Sequence, residues 1–326
     1  MESFTLEVLL WVVASILVTI VIMYILFWVR ISGTKSSFLD SVDTVFDNFC
    51  QEMPDIGYRE PVHRPSINGV YERHLAIALI DPCFKVTKAK CTSILPIENP
   101  PGFNEQLRIE GIDPNTGEQT MFAYLFWNVT TSEALIVFIG TNSAAELKSD
   151  VQFHQVPPTQ LNNYIDGVLV HRGFYNIYLS IRDQLWNWWN ANSSWVNTLY
   201  ITGHSLGAAL SSICCFDFAR VFGCDPSICS RYIVHYSFAP PRSGNPRYAR
   251  EFNMIMPTSL RVNNTCDIVP QLPPAAWQGY VYEEVGQNVP FTVAYPTLVE
   301  DHILAYFENL PECPVVAQCH SDTPTS

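Results

Sequence analysis

The stretch Thr198-Leu-Tyr-Ile-Thr-Gly203-His204-Ser205-Leu206-Gly207-Ala-Ala-Leu-Ser-Ser212 decides how this chain is read. Its opening residues suit a buried strand, and its closing residues are small and helix-compatible. Between them, Gly203, Ser205 and Gly207 fit the pattern Gly-x-Ser-x-Gly. A serine at a sharp strand-to-helix turn is forced into a strained backbone conformation that presents its hydroxyl. Glycines on either side remove side chains where strand and helix approach. The amide of Leu206 then sits at a helix N-terminus, where developing negative charge is stabilised. Ser205 is the candidate nucleophile on these grounds.

Outward from the elbow, strands are predicted over 121–129, 134–139, 198–202, 232–238 and 259–262, and helices over 173–190 and 206–221. This alternation implies a mostly parallel central sheet with helices on both faces, and with the serine elbow it predicts the α/β-hydrolase fold. In that fold the acid and then the base follow the nucleophile in the chain. Of the eight histidines, His235, His302 and His320 follow Ser205. His235 lies inside an apolar strand and reads as a core histidine, and His320 lies in the tail. His302 begins a predicted helix after Pro296 and can project from a loop, which makes it the candidate base. Asp267 follows a buried strand, in Arg261-Val-Asn-Asn-Thr-Cys-Asp267, where this fold positions its orienting carboxylate. Asp217 reads as a helix-surface residue and Asp301 as a helix cap. Asp225 sits in a loop with no strand before it, and Glu283 and Glu284 read as solvated strand residues.

Five ordered blocks give the chain a wider likeness. They are Ile136-Val-Phe-Ile-Gly-Thr141, Val170-His-Arg-Gly-Phe174, Gly203-His-Ser-Leu-Gly207, Phe238-Ala-Pro-Pro-Arg-Ser-Gly-Asn245, and Asn263 to Pro274 with Asp267. With the late pair Asp301-His302, they resemble the class 3 lipase family, which includes fungal triacylglycerol lipases and diacylglycerol lipases. The likeness runs from about Met121 to Leu310. It implies a serine hydrolase acting on lipid carboxylic esters through an acyl-enzyme on Ser205. It implies an oxyanion hole made by the amides of Thr141 and Leu206, and no metal or other cofactor. Residues 142–158 occupy the family's lid position, without the bulky tryptophan common in the fungal enzymes, and Ile139 replaces the family's basic residue before the glycine. His171 and Arg242 match family positions and read as structural. Two enzymatic readings stay open beside the lipase, a phospholipase A1 and a general carboxylesterase. A reading from another class is a catalytically inactive, membrane-anchored lipid-binding domain.

The rest of the chain places this domain. Residues 8–29 carry no charge. At about 1.5 Å per residue they reach roughly 33 Å, enough for one transmembrane helix. Trp11 and Trp28 stand near its ends, as interfacial aromatics do. No basic n-region precedes this run, which favours a retained anchor over a cleaved signal. The expected organisation is an anchor at 8–29, a linker with a short amphipathic helix at 30–68, the hydrolase domain at 69–310 and a flexible tail at 311–326. Of the 326 residues, 48% are hydrophobic and 15% charged, and 31 acidic against 18 basic side chains give a net charge of −13. That balance argues against nucleic acid as a partner. Arg30 and Lys35 after the span point weakly to the cytoplasm under the positive-inside rule. The sequons at Asn128, Asn192 and Asn263 and the ten cysteines lean instead to a lumenal or extracellular domain. Cys83/Cys91, Cys224/Cys229 and Cys313/Cys319 are close enough for local bridges, whereas adjacent Cys214 and Cys215 read as core thiols.

Overall fold

The computed structural model describes residues 49–312 apart from 55, 67–68, 95, 115, 141–152, 163 and 222–231. The expected anchor 8–29, Thr141, most of the lid position, Asp225, His320 and the pairs Cys224/Cys229 and Cys313/Cys319 lie outside the described residues. Among the described residues, no helix is long and apolar enough to cross a membrane.

A helical turn α1 (Phe49–Glu52) and a long helix α2 (Arg73–Thr92) precede the strands β1 (Glu105–Ile112), β2 (Gln119–Asn128) and β3 (Glu133–Phe138). A short pair, β4 (Gln155–Val156) and β5 (Val170–His171), leads into α3 (Arg172–Asn192). Next come β6 (Thr198–His204), α4 (Leu206–Val221), β7 (Ile233–Phe238), α5 (Pro246–Ile255) and β8 (Leu260–Asn264). The pair β9 (Ala276–Trp277) and β10 (Tyr280–Val281), then β11 (Gln287–Phe291), α6 (Leu298–His302) and α7 (Leu304–Glu308), complete the order. Seven strands form one sheet in the order β1-β2-β3-β6-β7-β8-β11. Only β2 runs against the others, since it pairs antiparallel with both neighbours while every pair from β3 to β11 is parallel. This is the α/β-hydrolase fold that the elbow and the alternation predicted.

Every residue of β6 is buried, as a central strand covered on both faces requires. Its side chains alternate between two layers. Leu199 and Ile201 join the core built with α3 and α4. Thr202 and His204 point the other way, to α2, where they meet Cys83 at 3.7 Å and the Phe84 ring at 5.1 Å. Helix α2 went unread in the sequence because its apolar residues surround most of its circumference and Pro82 interrupts its interior. Strand β11 holds Pro290, which a sheet edge tolerates because no ladder donor is needed there.

The expected Cys83/Cys91 bridge is not formed. Cys91 is bonded to Cys50, and Cys83 is a buried thiol facing Thr202. Both cysteines of the expected pair lie on α2, two turns apart, and a helix of that length holds their α-carbons beyond disulfide reach. The Cys50–Cys91 bridge ties the segment before α2 to that helix. Arg59 adds a second tie, with Nε and Nη2 on the buried Asp81 carboxylate at 2.9 and 2.5 Å. Its other nitrogen, Nη1, donates to the carbonyl of Phe307. Cys214 and Cys215 are buried, as expected.

Candidate active site

Ser205 adopts φ 60°, the left-handed region that a residue with a side chain occupies only when its surroundings impose it. Two glycines make this possible. A Cβ on Gly203 would stand 2.2 Å from the Gly207 carbonyl oxygen, and one on Gly207 would stand 2.4 Å from the Phe138 carbonyl oxygen. The helix N-terminus therefore lies directly on the ends of β6 and β3. The Ser205 amide is fixed by donating to the Phe238 carbonyl at 3.0 Å. Its hydroxyl oxygen is buried and makes no hydrogen bond among the described residues. The Leu206 amide opens α4 beside it, as the sequence predicted, while Thr141 lies outside the described residues.

Asp267 and His302 meet, 35 residues apart in the chain, with Nδ1 of the imidazole donating to Oδ2 of the carboxylate at 2.8 Å. Both residues are essentially without solvent contact, at 1% and 0% exposure. A carboxylate can only accept, so Nδ1 carries the hydrogen and Nε2 is the basic nitrogen of the neutral ring. Asp267 is placed by the turn after β8, where its amide donates to Asn264 at 3.1 Å and its Oδ1 accepts from the Val269 amide at 2.9 Å. His302 ends α6, whose start is closed by a capping box between Thr297 and Glu300. His302 is tied to the elbow by His204, whose Nε2 donates to the His302 carbonyl at 2.8 Å and whose ring lies 4.6 Å from the His302 ring.

Three contributors escaped the sequence reading. Tyr306 donates its hydroxyl to Asp267 Oδ2 at 2.9 Å, and burial pushes that phenol well above its ordinary range, so it stays a donor. His204 appeared only as a motif letter. Thr87, on α2, donates to the Cys83 carbonyl at 2.7 Å and accepts the Gly140 amide at 3.2 Å, which fixes the chain one residue before Thr141. Only the spacing of Tyr306, four residues after His302 on a helical run, was a signal available in the sequence.

Other assignments change. Asp217 is not on a helix surface: it is fully buried and accepts from Asn162, Tyr178, Arg182 and Trp186. The helical pattern around it gave no outward face because α4 is buried on nearly all sides. Asp301 does not cap the helix, a task Thr297 performs; its Oδ1 accepts the Tyr295 amide at 2.7 Å. Glu284 bridges Arg242 and Arg261 at 3.1 and 2.8 Å. His235 is the core histidine expected, with Nδ1 and Nε2 beside the hydroxyls of Ser259 and Ser211 at 2.7 and 3.0 Å. His171 caps α3 by accepting the Phe174 amide.

The described arrangement can perform nucleophilic acyl transfer: a strained serine, a histidine with an assigned basic nitrogen, and a buried carboxylate that orients it. Comparison with known proteins agrees in the region of the elbow. The family model "Lipase (class 3)" matches residues 135–277, from β3 through Asp267 to β9. A lipase of Rhizomucor miehei is 32% identical over 171 residues, covering 48% of this chain and 43% of that protein. A phospholipase A1-II 3 of Oryza sativa subsp. indica is 31% identical over 195 residues, 50% of this chain and 43% of that protein. A secreted mono- and diacylglycerol lipase of Malassezia globosa is 33% identical over 160 residues, 45% of this chain and 50% of that protein. The chain thus spans half or less of the length of these curated relatives.

Proposed function

We propose that this chain, which carries class 3 lipase sequence over residues 135–277, is a membrane-anchored serine hydrolase that cleaves lipid carboxylic esters. The single observation that carries the reading is the 2.8 Å bond between His302 and Asp267 beside the strained Ser205 elbow. In the proposed reaction His302 Nε2 takes the Ser205 proton as the oxygen attacks the ester carbonyl. The oxyanion is stabilised by the amides of Leu206 and Thr141. The protonated imidazole then gives its proton to the leaving alcohol as the carbon–oxygen bond breaks. Water, deprotonated by the same nitrogen, releases the fatty acid and restores Ser205. Asp267 keeps the productive tautomer and stabilises the imidazolium while itself remaining charged.

The substrate class follows the relatives, whose names include acylglycerol lipases and phospholipases A1. A fluorophosphonate that labels the native protein and spares Ser205→Ala separates an enzyme from an inactive lipid-binding module. A panel of triacylglycerol, diacylglycerol, phosphatidylcholine and short-chain esters then assigns the class. Activity confined to the phospholipid sn-1 ester would replace the acylglycerol reading with a phospholipase A1. Lack of labelling in a folded native protein would end the hydrolase reading.

The uncharged run 8–29 supports a single-pass anchor. The Cys50–Cys91 bridge favours the lumenal or extracellular side for the catalytic domain, because disulfides persist in oxidising compartments.

A further inference from the structure

Every helix ends with carbonyls that have no partner within the helix. His302 is the last residue of α6, and the chain breaks at Ile303 before α7 begins. Its carbonyl nevertheless has a partner, the Nε2–H of His204 at 2.8 Å. That partner is fully buried and belongs to the residue that immediately precedes the nucleophile. The His204 ring is itself immobilised, with the Phe84 ring at 5.1 Å, the Tyr306 ring at 5.4 Å and the His302 ring at 4.6 Å. Each of these neighbours comes from a different element: α2, α7 and α6.

We propose that His204 is a positioning residue for the reaction: its Nε2–H holds the main chain of the base, His302, at a fixed offset from the adjacent Ser205. Two bonds then define the imidazole. Asp267 holds it by Nδ1 and sets its tautomer, and His204 holds the backbone from which it projects. Because His204 and Ser205 are consecutive, this second bond links Ser205 to the His302 main chain through one peptide unit and the His204 side chain. Reacting groups displaced by about 1 Å can lose on the order of 100-fold in rate, so such a tether bears on turnover rather than on substrate affinity.

The proposal demands one tautomer. The acceptor is a carbonyl, so the hydrogen must be on Nε2. Burial first, and the neighbouring His302 second, push the His204 pKa well below its ordinary range, while the bond to the His302 carbonyl opposes them. The titratable groups facing it are His302 and Tyr306, and Tyr306 remains protonated.

The inference rests on the hydrolase reading above, and two experiments keep the two apart. The first uses the native full chain. Nitrogen NMR of ¹⁵N-histidine-labelled protein should show His204 as the neutral Nε2–H form throughout roughly pH 5 to 8. A neutral His204 that carries its hydrogen on Nδ1 and none on Nε2 overturns the proposal whether or not the protein hydrolyses anything. The second compares His204→Gln, whose amide nitrogen reaches the position of Nε2, with His204→Phe, which keeps a ring and has no donor. Phe should lower kcat by about 10-fold or more with KM unchanged and slow fluorophosphonate labelling of Ser205 in parallel. Gln should recover most of both rates. Equal losses in the two variants, or a change carried by KM, would assign His204 to packing alone. If the Phe variant does not fold, the Gln variant decides with the NMR result: a Gln variant as impaired as Ser205→Ala refutes the donor role. Absence of labelling in the native protein would instead remove the hydrolase reading and leave the tautomer result standing.

Discussion

Tyr306 gives its hydroxyl hydrogen to the same oxygen of Asp267, Oδ2, that receives the Nδ1 hydrogen of His302, at 2.9 and 2.8 Å. The Val269 amide occupies the other oxygen at 2.9 Å. Three donors thus face a buried carboxylate, and an amide in its place must turn a donor toward one of them. Asp267→Asn is expected to lower turnover on the order of 10³–10⁴-fold, through lost charge and the wrong imidazole tautomer. Tyr306→Phe leaves the His302 bond intact and removes the acceptor of the Asn264 amide. It should cost about 1–3 kcal/mol of stability and only a small part of kcat. Steady-state kinetics beside urea unfolding distinguish the two. A Tyr306→Phe variant as inactive as Asp267→Asn would move the phenol into the reacting machinery.

Asp217 gives a stability prediction of a different size. Its Oδ2 accepts from Arg182 Nε at 2.7 Å, Tyr178 at 2.8 Å and Trp186 at 2.9 Å, and its Oδ1 takes both nitrogens of Asn162. Asp217→Ala strands these donors, with Arg182 mostly buried, and should destabilise by about 3–5 kcal/mol. The Asp301 side chain accepts the Tyr295 amide, a bond that the oxygen of an asparagine can keep, so Asp301→Asn should cost about 1 kcal/mol or less. Urea midpoints of the two variants test the contrast; equal midpoints would contradict it.

The parts of this fold that were legible share a local cause. The elbow was readable because Gly203 and Gly207 are demanded by backbone contacts only a few residues away. Asp267 and His302 were readable because the fold fixes their chain order. Helix α2 was not, since burial on most sides erases amphipathic periodicity and Pro82 argues locally against a helix. Asp217 and the Cys50–Cys91 bridge failed for a common reason: their partners lie 31–55 and 41 residues away, and spacing carries no information at that range. His204 shows the limit most sharply, because its partner is the His302 carbonyl, a group present at every residue and therefore invisible in a sequence.

The Cys50–Cys91 bridge closes a loop with a sequence separation of 41. The chain-entropy view assigns such a loop about 4 kcal/mol of stabilisation, less any strain. The double variant Cys50→Ser/Cys91→Ser should therefore unfold at lower urea, and reduction of the native protein should reproduce that shift. Non-reducing and reducing gels of protein from intact membranes, after carbonate extraction, test compartment and anchoring together. Fully reduced Cys50 and Cys91 in native membranes would count against the lumenal or extracellular side. A soluble product beginning near Ser36 would show that 8–29 is cleaved.

Stability should also fall toward acid pH because of His235. The ring is buried between Ser211 and Ser259, with the Phe252 ring at 5.9 Å, and burial is what shifts its titration. Burial lowers its pKa from the ordinary 6.5 to about 3. Between those values the unfolded chain binds a proton that the folded protein does not, so the unfolding free energy rises with pH across that window. The contribution is complete above the unfolded pKa of 6.5 and is lost as pH falls toward 3, with a slope of at most about 1.4 kcal/mol per pH unit. His204, held low by its own burial, acts in the same direction. His235→Gln cannot titrate, and its amide can still meet a serine hydroxyl. Packing also changes with this substitution, so the diagnostic quantity is the slope rather than the level of stability at pH 7. Urea unfolding at several pH values from 7 to about 4 should give a shallower dependence for His235→Gln than for the native protein. Parallel curves would mean that His235 takes its proton in the folded state near its ordinary pKa, which a ring sealed between two serine hydroxyls in the core could not do.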